Sequence, residues 1–515
     1  MNKKYIFPGI VILAIIFIIP IFYKIIKKPV IRVTKVSFSK KKRDHLDHSH
    51  FFKKKITDPK EVTKECLKCH KNQAHDLMKT VHWKWESEPV KIPGKKELVK
   101  IGKKNLVNNF CIGISGNQIS CTSCHAGYGW KDKSYNFKDV NNVDCLICHD
   151  WSGTYVKGDY GYPKKSVDLQ AVAKSVGYPK RDNCGICHIY GGGGMGVKHG
   201  DLDNSLINPH RELDVHMGGS DLLCIDCHKT DKHKISGTAY SVSVDNRNGI
   251  NCTDCHKEMN HQDRRINKHL DSVACQTCHI PDYAKKAPTK TDWDWSKAGD
   301  SARNEDKHHY LKIKGEFLYG KKLIPEYRWF NMKVGRYLYG DKLDPTTTLD
   351  LNPPQGNIKD KKAKIWPFKI HRAKQPYDLE NLYLLQPVTS GDGGYWHQFD
   401  WKKALELGEE KTGVKFSGNY DFIDTNMYWP LSHMVSPKEK SLKCFDCHGE
   451  NSRFNWKDLG YKGDPINIGG RYYVKPKPVK PNRVKKINKS TRLKKKVKTV
   501  KARKLVKPIN KEGKK

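Results

Sequence analysis

Residues 108–130 read NNFCIGISGNQISCTSCHAGYGW. The run holds a Cys-x-x-Cys-His pentapeptide, Cys121, Cys124 and His125. Ten residues upstream of it stands Cys111, the one cysteine of the chain outside such a pentapeptide. Two thiols at this spacing form thioethers with the two vinyl groups of a haem while the next histidine reaches the iron, so the pentapeptide is a c-type haem attachment signature. An unpaired thiol beside a haem points to chemistry as well as wiring.

The signature recurs as Cys66, Cys69 and His70; Cys145, Cys148 and His149; Cys184, Cys187 and His188; Cys224, Cys227 and His228; Cys252, Cys255 and His256; Cys275, Cys278 and His279; and Cys444, Cys447 and His448. Eight sites use sixteen of seventeen cysteines. Zinc pairs and redox dithiols share the Cys-x-x-Cys spacing but do not need histidine directly after it. With 24 histidines in 515 residues, one would follow a given pair by chance about one time in twenty, so eight in eight excludes both. Eight covalently bound haem c groups are expected.

Apolar residues make up 37% of the chain, below the usual ~45–50%. The porphyrins should therefore supply the missing apolar surface, giving a mainly α multihaem cytochrome c with a haem-centred core, short helices, long loops and little sheet. The apoprotein should be unfolded. Forty glycines and 25 prolines suit chain that turns tightly around flat rings.

The formal charge is +41, of which residues 475–515 supply +18 through nineteen Lys/Arg against Glu512. Haem propionates would lower the remainder. A moderately basic body would still steer small anions, and no nucleic-acid partner is expected.

Residues 5–23 form a nineteen-residue apolar run flanked by lysines, long enough to span a bilayer as a helix. Thioether attachment takes place outside the cytoplasm, so the reading is an inner-membrane anchor with the body facing the periplasm. The expected organisation is an anchor over 1–26, a basic linker over 27–60 that contains His45, His48 and His50, and a heptahaem domain over 61–285. A haem-free, aromatic-rich packing segment follows over 286–440 with one helix near 399–411, then an eighth-haem segment over 441–471 and a basic disordered tail over 472–515.

Electron-transfer haems take a second axial ligand opposite the motif histidine. Candidates in or between the haem-dense segments are His75, His82, His199, His210, His216, His233, His261 and His269, with His433 just before the last site. His308, His309, His371 and His397 lie far from any motif. A catalytic haem needs one weak, unusual or missing ligand, and composition alone does not say which haem that is.

The opening run, CGICHIYGGGGMGVKHGDLD (184–203), CQTCHIPDYAKKAPTKTDWDWSKAG (275–299) and MYWPLSHMVSPKEKSLKCFDCHG (427–449) resemble the octahaem tetrathionate reductase family of periplasmic cytochromes c over about residues 61–464. The resemblance implies seven bis-histidine haems and one active-site haem, the second in sequence, at which a lysine takes a position usually held by histidine. The matching lysine is Lys198, and whether it opposes or displaces His125 stays open. It further implies catalytic roles for Cys111 and its neighbour Asn108, and reduction of tetrathionate to thiosulfate.

Electrons would come from a quinol dehydrogenase or a small cytochrome. Two other readings stand beside this one: reduction of nitrite or hydroxylamine, and a membrane-tethered electron wire without catalysis.

Overall fold

A computed structural model describes residues 45–111, 113–257 and 261–472. The chain divides into a unit of residues 1–471 and a second of 472–515, of which Tyr472 alone is described. The expected anchor at 5–23, the first part of the linker and the basic tail lie outside the described residues. Among those described, no helix is long and apolar enough to cross a membrane.

The haem-dense part is built from short helices and turns. Helix α1, Pro59–Cys69, begins where the Asp58 carboxylate accepts from Lys60 N at 2.9 Å and Pro59 fills the first position, which needs no amide donor. It buries Val62 and Thr63, and the Thr63 hydroxyl donates to Val143 O at 2.7 Å, tying the first motif to the third.

The segment expected to be a packing shell carries a seven-stranded sheet, which corrects the expectation of little sheet: strands hold 16% of the residues against 24% in helices. Numbered within the sheet, the strands are β1 Thr289–Asp294, β2 Tyr310–Leu311, β3 Gly315–Gly320, β4 Glu326–Phe330, β5 Leu349–Asp350, β6 Lys364–Asp378 and β7 Tyr420–Pro430. Their order is β2-β3-β1-β6-β7-β5, with β4 paired to β6. The β6–β7 pair is antiparallel from Phe368↔Pro430 to Asp378↔Tyr420, and β1 runs parallel to β6 through Arg372↔Asp292. Aromatic and β-branched residues favour such strands. The helix expected near 399–411 is found as α2, Trp401–Thr412, capped by Asp400 and closed by Gly413 at φ +79.

Strand β6 places the sheet against the site. On one face Trp366, Phe368 and Ile370 pack with Tyr240, Phe330 and Tyr428. On the other, buried polar side chains grip two loops of the haem-dense part. Lys369 Nζ donates to Val197 O and Lys198 O, both at 2.9 Å, and to Thr289 Oγ1 at 2.7 Å. His371 donates to Asn109 Oδ1 at 3.1 Å, and Gln375 Nε2 to Asn108 O at 2.9 Å. A buried amine is tolerable because each of its three protons has an acceptor.

Burial pulls the Lys369 amine down to about 7. An unfolded lysine keeps its proton to roughly pH 10.4, so between those values the unfolded chain binds more protons and stability rises with pH. The urea midpoint of the holoprotein should therefore climb from about pH 7 to about pH 9, and Lys369→Met should flatten the climb. An unaltered slope in that variant would mean the buried amine keeps its proton.

Candidate functional site

Each attachment motif lies on a short helix or a single helical turn, among them α1, Gln118–Cys121, Leu146–His149, Arg181–His188, Cys224–Cys227, Cys275–His279 and Cys444–Cys447. One turn brings both sulfurs and the following imidazole to one side. Residues of the second to seventh motifs line one continuous cavity of about 3210 Å³. That is several times the ~300–1,000 Å³ of an ordinary small-molecule pocket.

Thiols of different motifs are close enough to influence each other's ionisation: Cys66 with Cys145, Cys124 with Cys187, Cys184 with Cys224, and Cys252 with Cys275. Cys148 neighbours Cys184, Cys227 neighbours Cys255 and Cys278 neighbours Cys447. The motifs therefore form one run in the order first, third, fourth, fifth, sixth, seventh, eighth. The second branches from the fourth.

Six motif histidines face a second histidine. Ring centroids lie 6.2 Å apart for His70 and His48, 6.3 Å for His188 and His82, 6.4 Å for His228 and His433, 6.1 Å for His256 and His216, 6.4 Å for His279 and His261, and 6.1 Å for His448 and His269. A metal held at ~2.0 Å from two imidazole nitrogens sets the ring centres about 6 Å apart once the ring radii are added. The separation fits one iron between each pair.

Carboxylates and a carbonyl hold the rings. His433 Nδ1 lies 3.2 Å from Asp201 Oδ2, His448 Nδ1 2.6 Å from Asp464 Oδ1, and His228 Nδ1 2.8 Å from Ser236 O. His48 comes from the linker, outside the set expected as ligands. Of that set, His75 and His210 are exposed, His233 lies in the electrostatic surroundings of His149 and His70, and His199 packs edge-on against Trp429 at 4.8 Å.

The second motif differs. Cys121, Cys124 and Ala126 line the cavity, but His125 does not. Its ring is fully buried among Trp83, Trp85, Trp130, Tyr135 and Phe137, at centroid distances of 5.0 to 6.0 Å. His125 Nε2 lies 2.7 Å from Trp83 O. A carbonyl only accepts, so Nε2 carries the proton and has no lone pair for a metal. Burial holds this imidazole neutral, at about 3. His125, read from the sequence as an iron ligand, lies outside the lining of the cavity that Cys121 and Cys124 face.

A buried network braces that conformation. Lys157 Nζ donates to His125 O at 2.5 Å and Gly127 O at 3.0 Å, and pairs with Asp144 Oδ2 at 2.9 Å. Asp144 also accepts from the hydroxyls of Tyr128 and Tyr155, both at 3.0 Å.

Lys198 reaches the second motif from the glycine-rich loop of residues 191–196. A Cβ on Gly191 would lie 2.6 Å from Cys124 Sγ, and Gly192, Gly193, Gly194 and Gly196 have φ between +74 and +111. Only glycine lets the backbone pass so close. The Lys198 amine donates to Cys187 O at 2.8 Å and neighbours Cys124 and Cys111. Burial, with the Lys103 ammonium, pulls it down to about 8.

Cys111 lines the same cavity, packed between the Trp293–Phe317 cluster and the Phe110–Trp429 cluster. Its amide donates to Asn108 Oδ1 at 2.9 Å, so Asn108 shapes the turn that presents the thiol. Sequence reasoning missed His48, the Trp83 carbonyl, Lys369 and His371; of these only the His45, His48, His50 cluster carried a visible signal.

The family model described as bacterial cytochrome c matches residues 290–451, the sheet and the last motif. The crystal structure of octaheme cytochrome c from Shewanella oneidensis is similar over 82% of this chain and 98% of its own, with a TM-score of 0.77 and 48% sequence identity. An uncharacterized protein of Archaeoglobus fulgidus is 26% identical over 240 residues, 37% of this chain and 80% of its own. Together with the paired thiols, paired imidazoles and cavity, these similarities assign covalently bound c-type haem as the cofactor.

Asp144→Asn would leave the Lys157 ammonium buried without its counter-charge, a change that costs about 3–5 kcal/mol. Denaturant titration of the haem-loaded protein measures it. A loss below about 1 kcal/mol would show that the pair does not brace the second motif.

Proposed function

The chain belongs to the octahaem cytochromes c, multihaem proteins of electron transport, and from that premise we propose that it reduces tetrathionate to thiosulfate at its second attachment motif. Eight motifs call for eight haems. The observation that carries the reading is the His125 Nε2 bond to Trp83 O, made by one motif histidine while six others face a partner imidazole. With His125 bonded to Trp83 O, Lys198 would be the residue that holds the second motif's iron.

When bound, the haem groups supply electron storage and relay and, at the second motif, an iron not closed by two imidazoles. The chain's residues do the rest. A Lys198 amine with its proton affinity lowered has a lone pair to offer near neutral pH. The Cys111 thiolate attacks one inner sulfur of tetrathionate, breaking the central S–S bond and expelling the first thiosulfate. Two electrons then break the new Cys–S bond, restore the thiolate and free the second thiosulfate. Charge grows on each departing sulfur, and Lys103, in the cavity wall beside the second motif, opposes it.

Seven motifs in a contiguous run, with the second as a branch, suit delivery of both electrons to one site. We place the body on the periplasmic face, anchored by residues 5–23, with a quinol dehydrogenase or small cytochrome as donor and small anions as substrates.

Turnover of tetrathionate, nitrite and hydroxylamine in one preparation tests this reading. Tetrathionate should give the highest kcat/KM, and Cys111→Ser should lower it by roughly 10²-fold or more, the scale on which loss of a group acting in the transition state is felt. Equal rates in the variant would remove Cys111 from the reaction. Failure to turn over all three would leave a conductor.

A further inference from the structure

Among the described residues three lysines are buried: Lys157, Lys290 and Lys369. Two have full complements of partners. Lys157 has a carboxylate and two carbonyls, and Lys369 has two carbonyls and a hydroxyl. Lys290 is 3% exposed, yet among the described residues its amine has no hydrogen-bond acceptor. It lies 3.5 Å from the centroid of the Trp293 ring and 4.8 Å from that of Phe317. Ring faces attract a cation but leave its N–H groups without acceptors.

The backbone directs this amine into the cavity. Strand β1 departs from regular pairing with β3 between Lys290 and Asp292, and such bulges re-aim a side chain. Lys290, Trp293, Phe317 and Cys111 all line the cavity, and Cys111 packs on the Trp293–Phe317 cluster. The charged or titratable neighbours of the amine are Lys314, Lys369, His371 and the Cys111 thiol, with no carboxylate among them. Burial and Lys314 hold the amine well below the usual lysine range. A buried amine with unused donors and only cations and a thiol around it is best able to take up its proton when an anion is brought in from outside to pair with it.

We propose that Lys290 seats an anionic sulfonate-type end of the substrate beside Cys111, so that the inner sulfurs of a sulfur oxyanion meet the thiol. This rests on the tetrathionate reading and adds the subsite that orients the molecule. The competing occupant is a haem propionate, for which Lys290 would be only a counter-ion.

The test uses the haem-loaded protein, with thiosulfate as the probe in calorimetry and tetrathionate in steady-state kinetics. Lys290→Met should raise the thiosulfate Kd and the tetrathionate KM roughly tenfold or more, while the haem spectra stay as in the unsubstituted protein. Should that variant fail to load haem, Lys290→Gln carries the same comparison. Unchanged Kd and KM, absence of thiosulfate binding by the unsubstituted protein, or a shift of a haem potential with affinity intact would each overturn the proposal. Lysine-dependent thiosulfate binding in a protein that leaves tetrathionate intact would support the subsite while removing the reduction assigned above.

Discussion

A single hydrogen bond, from an imidazole nitrogen to the main-chain carbonyl of Trp83, sets one attachment site apart from its siblings. His125 Nε2 has one proton or one lone pair to use, and the carbonyl takes the proton. The ring could turn back toward the cavity only by leaving a box of five aromatic side chains and stranding the carbonyl in an apolar interior. Leaving a buried acceptor unpaired costs about 1–3 kcal/mol. Lys157 and Asp144 hold the loop on the other side, so the conformation is braced at both ends. In the reading proposed above, a ligand for the second motif's haem would then come from elsewhere in the chain. The glycine-rich loop brings Lys198 there.

The sheet gives this arrangement its rigidity. Strand β6 buries both faces over most of its length, which apolar residues alone would do at lower cost. Instead Lys369, His371 and Gln375 recur at every second or fourth position and bond the Lys198 carbonyl, the Asn109 side chain and the Asn108 carbonyl. The loops that present Lys198 and Cys111 are thereby fixed to the same strand. A part of the chain with one attachment motif carries the framework for the site where the reaction is assigned, which agrees with the match of the bacterial cytochrome c family to this stretch.

What could be read from the sequence follows from how local each feature is. Thioether attachment depends on residues within five positions of one another, so motif number and spacing are plain in the chain. Pairing of imidazoles is tertiary. His82, His216, His261, His269 and His433 come to face a motif histidine, whereas His75 and His210, equally near to motifs in sequence, are exposed. His48 lay in a basic, polar stretch where only its clustering with His45 and His50 hinted at the stacking on His70. The sheet was hidden for a physical reason: strand β6 alternates, but with Lys369, His371 and Gln375 on a buried face, so its polar residues read as solvent-facing. Helix α2 shows its cap and its period and was legible to within two residues.

In the function proposed above, one haem iron would have an amine in place of the motif imidazole. Near-infrared magnetic circular dichroism of the fully oxidised protein, where the energy of the ferric charge-transfer band reports the axial ligands, tests it most directly. Bis-imidazole bands are expected from at least the six haems whose motif histidines face a second imidazole, with a distinct band from one, lost in Lys198→Ala and kept when His125 is replaced. Eight equivalent bis-imidazole haems, or loss of the distinct band on replacing His125, would contradict it.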